Sequence, residues 1–174
     1  MKITRVSLCR VLSLCFVLVP VVHTQTKSDS DAPMHRLAFF VGAWHCNGKF
    51  IRSGKSISAR LVFEPILDGK FLLFKHDDEP PFSYHAWSEW GWDADSSQFV
   101  STTQDATGHI RLFYSPGWMA KQIVWSGSDP KKPSDQQFVF EHLDDRSFRV
   151  SYSSKKDDSW LEVDSSVCSR TGTE

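Results

Sequence analysis

Phe40-Val41-Gly42-Ala43-Trp44-His45-Cys46-Asn47-Gly48-Lys49-Phe50 is the stretch where the chain changes its rhythm. Before it, Met34, Leu37, Ala38 and Val41 recur at helical spacing. From Trp44 onward, Trp44, Cys46, Gly48 and Phe50 alternate with His45, Asn47, Lys49 and Ile51. A period near 3.6 lines one face of a helix, whereas a period of two sends neighbours to opposite faces of a strand. The spacing therefore predicts a short helix capped at Asp31, with Pro33 in its first turn, ending at Gly42. A run of strands follows.

The alternation continues outward from that point. Ile57, Ala59, Leu61 and Phe63 line one face of a second strand, and Leu67-Asp68-Gly69-Lys70 supplies an Asp-Gly hairpin turn into Phe71–Asp77. The acidic, Pro-rich stretch Asp78 to Pro81 interrupts, because proline cannot donate to a ladder. A long strand is expected from Phe82 to Trp92, then a hairpin of Gln98–Gln104 and His109–Tyr114 around Thr107-Gly108. Ser115-Pro116-Gly117 breaks the pattern, and Lys121–Ser126 resumes it. Beyond the polar, Pro-containing loop Asp129–Asp135 lie a hairpin of Gln136–Leu143 and Phe148–Ser153, and a last strand Trp160–Cys168. About ten strands with no crossover helix imply antiparallel pairing. Closing such a meander abolishes its edges, so an all-β, up-and-down closed barrel with a short N-terminal helix is expected. A β-sandwich is the alternative.

The N-terminus has a different character. Lys2, Arg5 and Arg10 precede the apolar run Val11–Val22, and Val22 and Thr24 sit at −3 and −1 of a cut before Gln25. This pattern describes a secretory signal peptide over residues 1–24. A disordered polar segment is expected over 25–31, one barrel domain over 32–170 and a tail over 171–174. The expected location is secreted or periplasmic, with no membrane association after cleavage. Cleavage removes Cys9 and Cys15 and leaves Cys46 and Cys168, one near each end. Two cysteines in an oxidising compartment suggest one disulfide. That bridge favours closure, since it makes the first and last strands neighbours. One point fits poorly: Cys168 shares its parity with Glu162 and Asp164, not with Leu161 and Val163. The net charge of −1 offers no field to attract nucleic acid or anionic lipid.

A short helix leading into Gly42-Ala43-Trp44, followed by about ten antiparallel strands, resembles the calycin superfamily of lipocalins, fatty-acid-binding proteins and nitrobindins. More narrowly, Phe40 to Gly48 looks like the opening of the bacterial domain-of-unknown-function family 1579. Leu67-Asp68-Gly69-Lys70, Ser115-Pro116-Gly117-Trp118 and Val124-Trp125-Ser126-Gly127 are similar to that family too. For calycins the resemblance implies a closed barrel, often with a cavity for an apolar ligand. For the narrower family it implies no established activity.

The chain carries seven Trp and 13 Phe, enough to furnish an aromatic-walled site. Candidate ligand-binding residues are Trp44, Trp90, Trp92, Trp118, Trp125 and His142; core packing explains the same side chains. Trp44 can equally plug the closed end, its Nε1–H bonding a backbone carbonyl. Alternation puts Trp87 on the face opposite Trp90 and Trp92, so an outward Trp is expected, with the N-terminal helix as its expected cover. A small hydrophobic molecule is the expected partner, and the oligomeric state is left open. A structural or interaction barrel with a filled interior and an outward Trp patch is the second reading. Haem or metal bound through His142, or through His76 and His85, is the third; nitrobindin-like barrels ligate haem through a His near the last strand, and Trp160–Cys168 contains none. No spacing matches a zinc site. Glu89, Glu141, Glu162 and Asp164 read as outward polar residues of alternating strands. No nucleophile motif is present, and an enzyme is not expected.

Overall fold

The computed structural model describes residues 31–127 and 135–172. The expected signal peptide, almost all of the polar segment 25–31 and most of the loop Asp129–Asp135 lie outside the described residues. The N-terminal element is one helical turn, α1 (Asp31–His35), followed by a 3-10 turn, Ala38–Phe40. The strands are β1 (Gly42–Phe50), β2 (Ser56–Ile66), β3 (Phe71–Asp78), β4 (His85–Asp93), β5 (Gln98–Asp105) and β6 (Ile110–Ser115). They continue as β7 (Trp118–Met119), β8 (Gln122–Gly127), β9 (Gln136–Asp144), β10 (Ser147–Lys156) and β11 (Ser159–Arg170).

Every strand of the wall pairs antiparallel with its neighbours in sequence. β6 skips the two-residue β7 to meet β8, and β11 returns to β1. Ten strands thus close an up-and-down barrel. The closing ladder runs from Trp44 opposite Arg170 to Phe50 opposite Asp164 and sets Cys46 directly against Cys168. Those two cysteines form the disulfide. The seam between β6 and β8 is the thinnest, with Phe113–Gly127 and Tyr114–Ser126 in register. Gly48 lets β11 press close to β1: a Cβ there would come within 2.1 Å of the Ser165 carbonyl oxygen.

The N-terminal segment plugs one end of the barrel. A continuous helix through Val41 is not formed. The chain breaks after His35 and tightens into the 3-10 turn, which aims Phe40, and not Ala38 or Val41, into the core. Trp44 sits beneath it and donates from Nε1 to the Phe40 carbonyl at 2.7 Å. Arg170, at the end of β11, donates to the carbonyls of Val41 at 2.5 Å and Phe39 at 2.6 Å, and its guanidinium lies 4.1 Å from the Trp44 ring centroid. The charge-assisted bonds and the cation–π contact tie the plug to the closing seam.

Two sequence expectations need correction. Phe82 to Tyr84 are not part of β4; after the cis Pro80-Pro81 bond they form a loop held by Tyr84, whose carbonyl accepts from Asp78 N–H. Asp164 faces inward and not outward. The β1–β11 ladder is regular from Cys168 to Asp164, so Asp164 shares the inward face of Cys168; the bulge in the β10–β11 ladder, where Tyr152 opposes Asp164 and Ser153 opposes Glu162, lies beyond it. The inner face of β11 is therefore Cys168, Ser166 and Asp164, and Val167 is exposed on the outside. Trp87 does face outward, as alternation requires. It is 57% exposed, so the N-terminal helix does not cover it.

Candidate functional site

The interior encloses a cavity of about 420 Å³. Strand register orders its wall from bottom to rim. The bottom rests on the plugged end, where Phe40, Phe63 and Phe148 pack together. The middle is aromatic: Trp90 and Trp125 lie 4.7 Å apart between ring centroids, Trp90 and Phe140 5.3 Å, and Phe113 and Phe138 5.3 Å. Towards the other end β1, β3, β6, β10 and β11 contribute Phe50, His76 and Asp78, Arg111, Tyr152 and Asp164. The loop after β3 brings Phe82, Ser83 and Tyr84 to the same wall, with Phe82 against Phe50 at 5.3 Å. The site is thus apolar in its depth and polar at its rim.

Each rim charge has a different environment. Arg111 pairs with the buried Asp105 carboxylate through Nη2 and donates from Nη1 to the Gln136 side-chain oxygen at 3.2 Å. Asp105 also accepts from the Thr107 backbone N–H at 2.9 Å, so the β5–β6 turn and the Arg111 pair share one anchor. His76 Nε2 lies 2.8 Å from Asp78 Oδ1. Asp164 differs, because among the described residues no side-chain hydrogen bond or ion pair engages its carboxyl. Burial raises its pKa to about 6, the cost of removing an anion from water. His76 opposes that rise, while Asp78 and Glu162 add to it. Burial likewise raises Tyr84 and Tyr152, so both phenols stay neutral at physiological pH.

The structure divides the sequence candidates. Trp90 and Trp125 line the cavity. Trp44 lies in the plug. Trp118 stacks on Phe40 at 5.5 Å and donates from Nε1 to the Arg36 carbonyl at 2.5 Å. Trp92 packs edge-on against Phe99 at 5.0 Å. His142 lies 4.4 Å from the Phe39 ring centroid, at the plugged end and not on the cavity wall. His76 and His85 sit on adjacent strands but on opposite faces: His76 lines the cavity, and His85 lies outside against Asp77 at 2.8 Å. They do not converge on one point. No group of three or more metal-ligating side chains occurs among the described residues. Of the rim residues, His76 was a sequence candidate, paired with His85 for haem or metal, whereas Asp78, Arg111, Tyr152 and Asp164 were not proposed as ligand contacts. For Asp164 a signal was present, since it shares its parity with Cys168.

A second polar cluster lies near the barrel mouth, where Ser58, His45 and Glu79 meet. Ser58 Oγ donates to Glu79 Oε2 at 2.6 Å, and His45 Nε2 lies 3.2 Å from both. These are the residue types of a nucleophile relay, but the arrangement is not one. Asn47 Nδ2 donates to His45 Nδ1 at 3.3 Å, which leaves the imidazole proton on Nε2. That nitrogen then donates to Glu79 and cannot accept the Ser58 proton. Both donors stabilise the ionised carboxylate and lower the Glu79 pKa. The cluster holds Glu79 at the start of the 79–84 loop, where its backbone N–H also bonds the Ser58 carbonyl at 2.8 Å.

Fold and site together define a closed antiparallel β-barrel with an internal, aromatic-floored cavity. Comparison with models of known families finds none that matches the chain, and comparison with curated proteins likewise finds no match. The barrel agrees with the calycin resemblance at the level of architecture; the narrower family is not supported. No helix of the described residues is long and apolar enough to cross a membrane.

Proposed function

We propose that the protein binds a small, predominantly apolar molecule inside the barrel. The cavity carries this proposal. Its volume of about 420 Å³ falls in the usual range for ligand pockets, about 300–1,000 Å³, and its depth is walled by Trp, Phe, Leu, Ile and Val side chains. A barrel whose interior served only as structural core would fill that space with side chains. The filled-interior alternative therefore loses its main support.

Ala59 provides the test. It is buried on β2 and lines the cavity, beside Cys46 on β1 and opposite Asp78 on β3. Ala59→Phe places a ring in the space a ligand would use. In the native protein, the neutral probe N-phenyl-1-naphthylamine is expected to quench or shift the emission of Trp90 and Trp125 on titration. In Ala59→Phe, affinity is expected to fall at least about tenfold, some 1.4 kcal/mol, with the far-ultraviolet dichroism unchanged. A native protein that neither binds the probe nor changes its Trp emission with any small apolar compound would overturn the proposal.

We propose further that the protein acts outside the cytoplasm. The Cys46–Cys168 disulfide fits an oxidising compartment, and residues 1–24 have the character of a signal peptide. Mass spectrometry of the protein recovered from an exported fraction is expected to place the N-terminus at Gln25; recovery only as the full 174-residue chain would contradict export by cleavage.

A further inference from the structure

We propose that the cavity is built for a cationic amphiphile: a protonated amine on an apolar body, with its ammonium group seated against Asp164. The inference rests on the cavity being a binding site and names the chemistry of what it binds. Besides the two phenols, four ionisable side chains line the cavity: His76, Asp78, Arg111 and Asp164. Arg111, the one fixed cation, is already answered by the buried Asp105 carboxylate and by Gln136. Its Nε–H is enclosed by protein, and the two Nη groups are already drawn towards Asp105 and Gln136. Asp78 is engaged by His76. Asp164 is left as the charge of the site with no hydrogen-bonded or ion-paired partner among the described residues.

A carboxylate partly withdrawn from water into an apolar cavity gains from a cation that joins it. The neighbourhood suits that cation. Tyr84 and Tyr152 line the same part of the wall as neutral phenols, and ring faces attract ammonium groups. Below them, Trp90, Trp125, Phe74 and Phe140 offer an apolar floor for a hydrocarbon or aromatic body. An anionic ligand would instead place its head beside two carboxylates and a guanidinium that is already paired.

Octylamine, octanol and octanoate share one apolar chain and differ in the charge of the head. At pH 7.5, calorimetry is expected to show octylamine binding at least about tenfold tighter than octanol, and octanoate weaker than both. Asp164→Asn is expected to bring octylamine down to the level of octanol while leaving octanol unchanged. The native protein supplies a second reading that needs no variant. Octylamine keeps its charge between pH 7.5 and 5, whereas Asp164, with its pKa raised to about 6, becomes protonated as the pH falls. Affinity for octylamine should therefore drop about tenfold across that interval, and affinity for octanol should not.

The groups facing Asp164 are His76 and Asp78 on β3, Arg111 on β6, Tyr152 on β10, Tyr84 in the 79–84 loop and Glu162 on β11 itself. The part of the pH dependence that Asp164→Asn removes belongs to Asp164. If octanol binds and octylamine binds no tighter, the inference fails and the apolar binding site stands. If none of the three compounds binds, the binding site itself fails and this inference falls with it.

Discussion

Replacing Cys168 with Ser is expected to lower the stability of the barrel by about 2–5 kcal/mol while leaving its strands in register. Cys46 and Cys168 lie opposite one another in the ladder that closes the barrel, and their bond spans 122 residues of chain. A crosslink of that span removes many conformations from the unfolded ensemble, worth about 5 kcal/mol in the chain-entropy model. The folded state needs the bond less. The β1–β11 ladder extends from Trp44–Arg170 to Phe50–Asp164 on both sides of it, and Arg170 adds two hydrogen bonds from the same seam to the N-terminal plug. The barrel should therefore still close, and the loss should come mainly from a freer unfolded chain. Both cysteines are buried, so a serine also places a hydroxyl among apolar neighbours. The double variant Cys46→Ala with Cys168→Ala separates that local cost from the crosslink. Urea unfolding of the native protein with and without reductant should reproduce the difference. Two reactive thiols in the denatured, unreduced protein after cleavage has removed Cys9 and Cys15 would refute the bridge.

The strands were legible in the sequence because their interior faces obey a period of two. Ile57, Ala59, Leu61 and Phe63 all turn inward as the pattern requires, and the end-to-end cysteines imply the β1–β11 seam that the barrel forms. The site was much less legible, for a physical reason. A cavity that opens towards solvent wets part of its own inner wall, so the rule of apolar residues inside fails where the function lies. His76, Asp78, Ser88, Thr103, Arg111 and Asp164 occupy inward positions that a packed core would give to hydrocarbon. Conversely, Trp87, Ile110 and Leu161 stand outside, exposed. Asp164 was the one rim residue that parity could reveal. Once Cys168 is directed inward by its partner on β1, a regular strand carries Asp164 inward too, and the apparent misfit of Cys168 with Leu161 and Val163 becomes a property of the site.

The plug was hidden for another reason. Trp118 reaches the carbonyl of Arg36 across 82 positions, and His142 reaches Phe39. Such long-range contacts have no local period, so two aromatic candidates for ligand binding turn out to seal the end of the barrel. The same sealing explains why Phe40, only the last residue of a short turn, matters more than the helix before it.

Replacing Phe40 with Ala is therefore expected to cost about 3–5 kcal/mol, as large as any substitution in the core. Phe40 is fully buried. Its ring stacks on Phe63 at 5.3 Å and on Trp118 at 5.5 Å, and meets Trp90, Phe140 and Phe148 edge-on at 5.4–5.6 Å. These neighbours come from β2, β4, β7, β9 and β10, so one side chain joins strands from around the barrel. The surrounding rings are anchored in strands and cannot collapse fully into the space left behind, which places the loss near the upper end for Phe→Ala changes. The bond from the Trp44 indole Nε1–H to the Phe40 carbonyl does not depend on the Phe40 side chain and should keep the turn in place. The plug would then be thinned and not displaced, and the floor of the cavity would open towards it. Urea unfolding should show the full loss in Phe40→Ala and a change of no more than about 1 kcal/mol in Trp87→Ala, whose side chain points into solvent. Equal losses in the two variants would mean that the plug does not hold this end of the barrel.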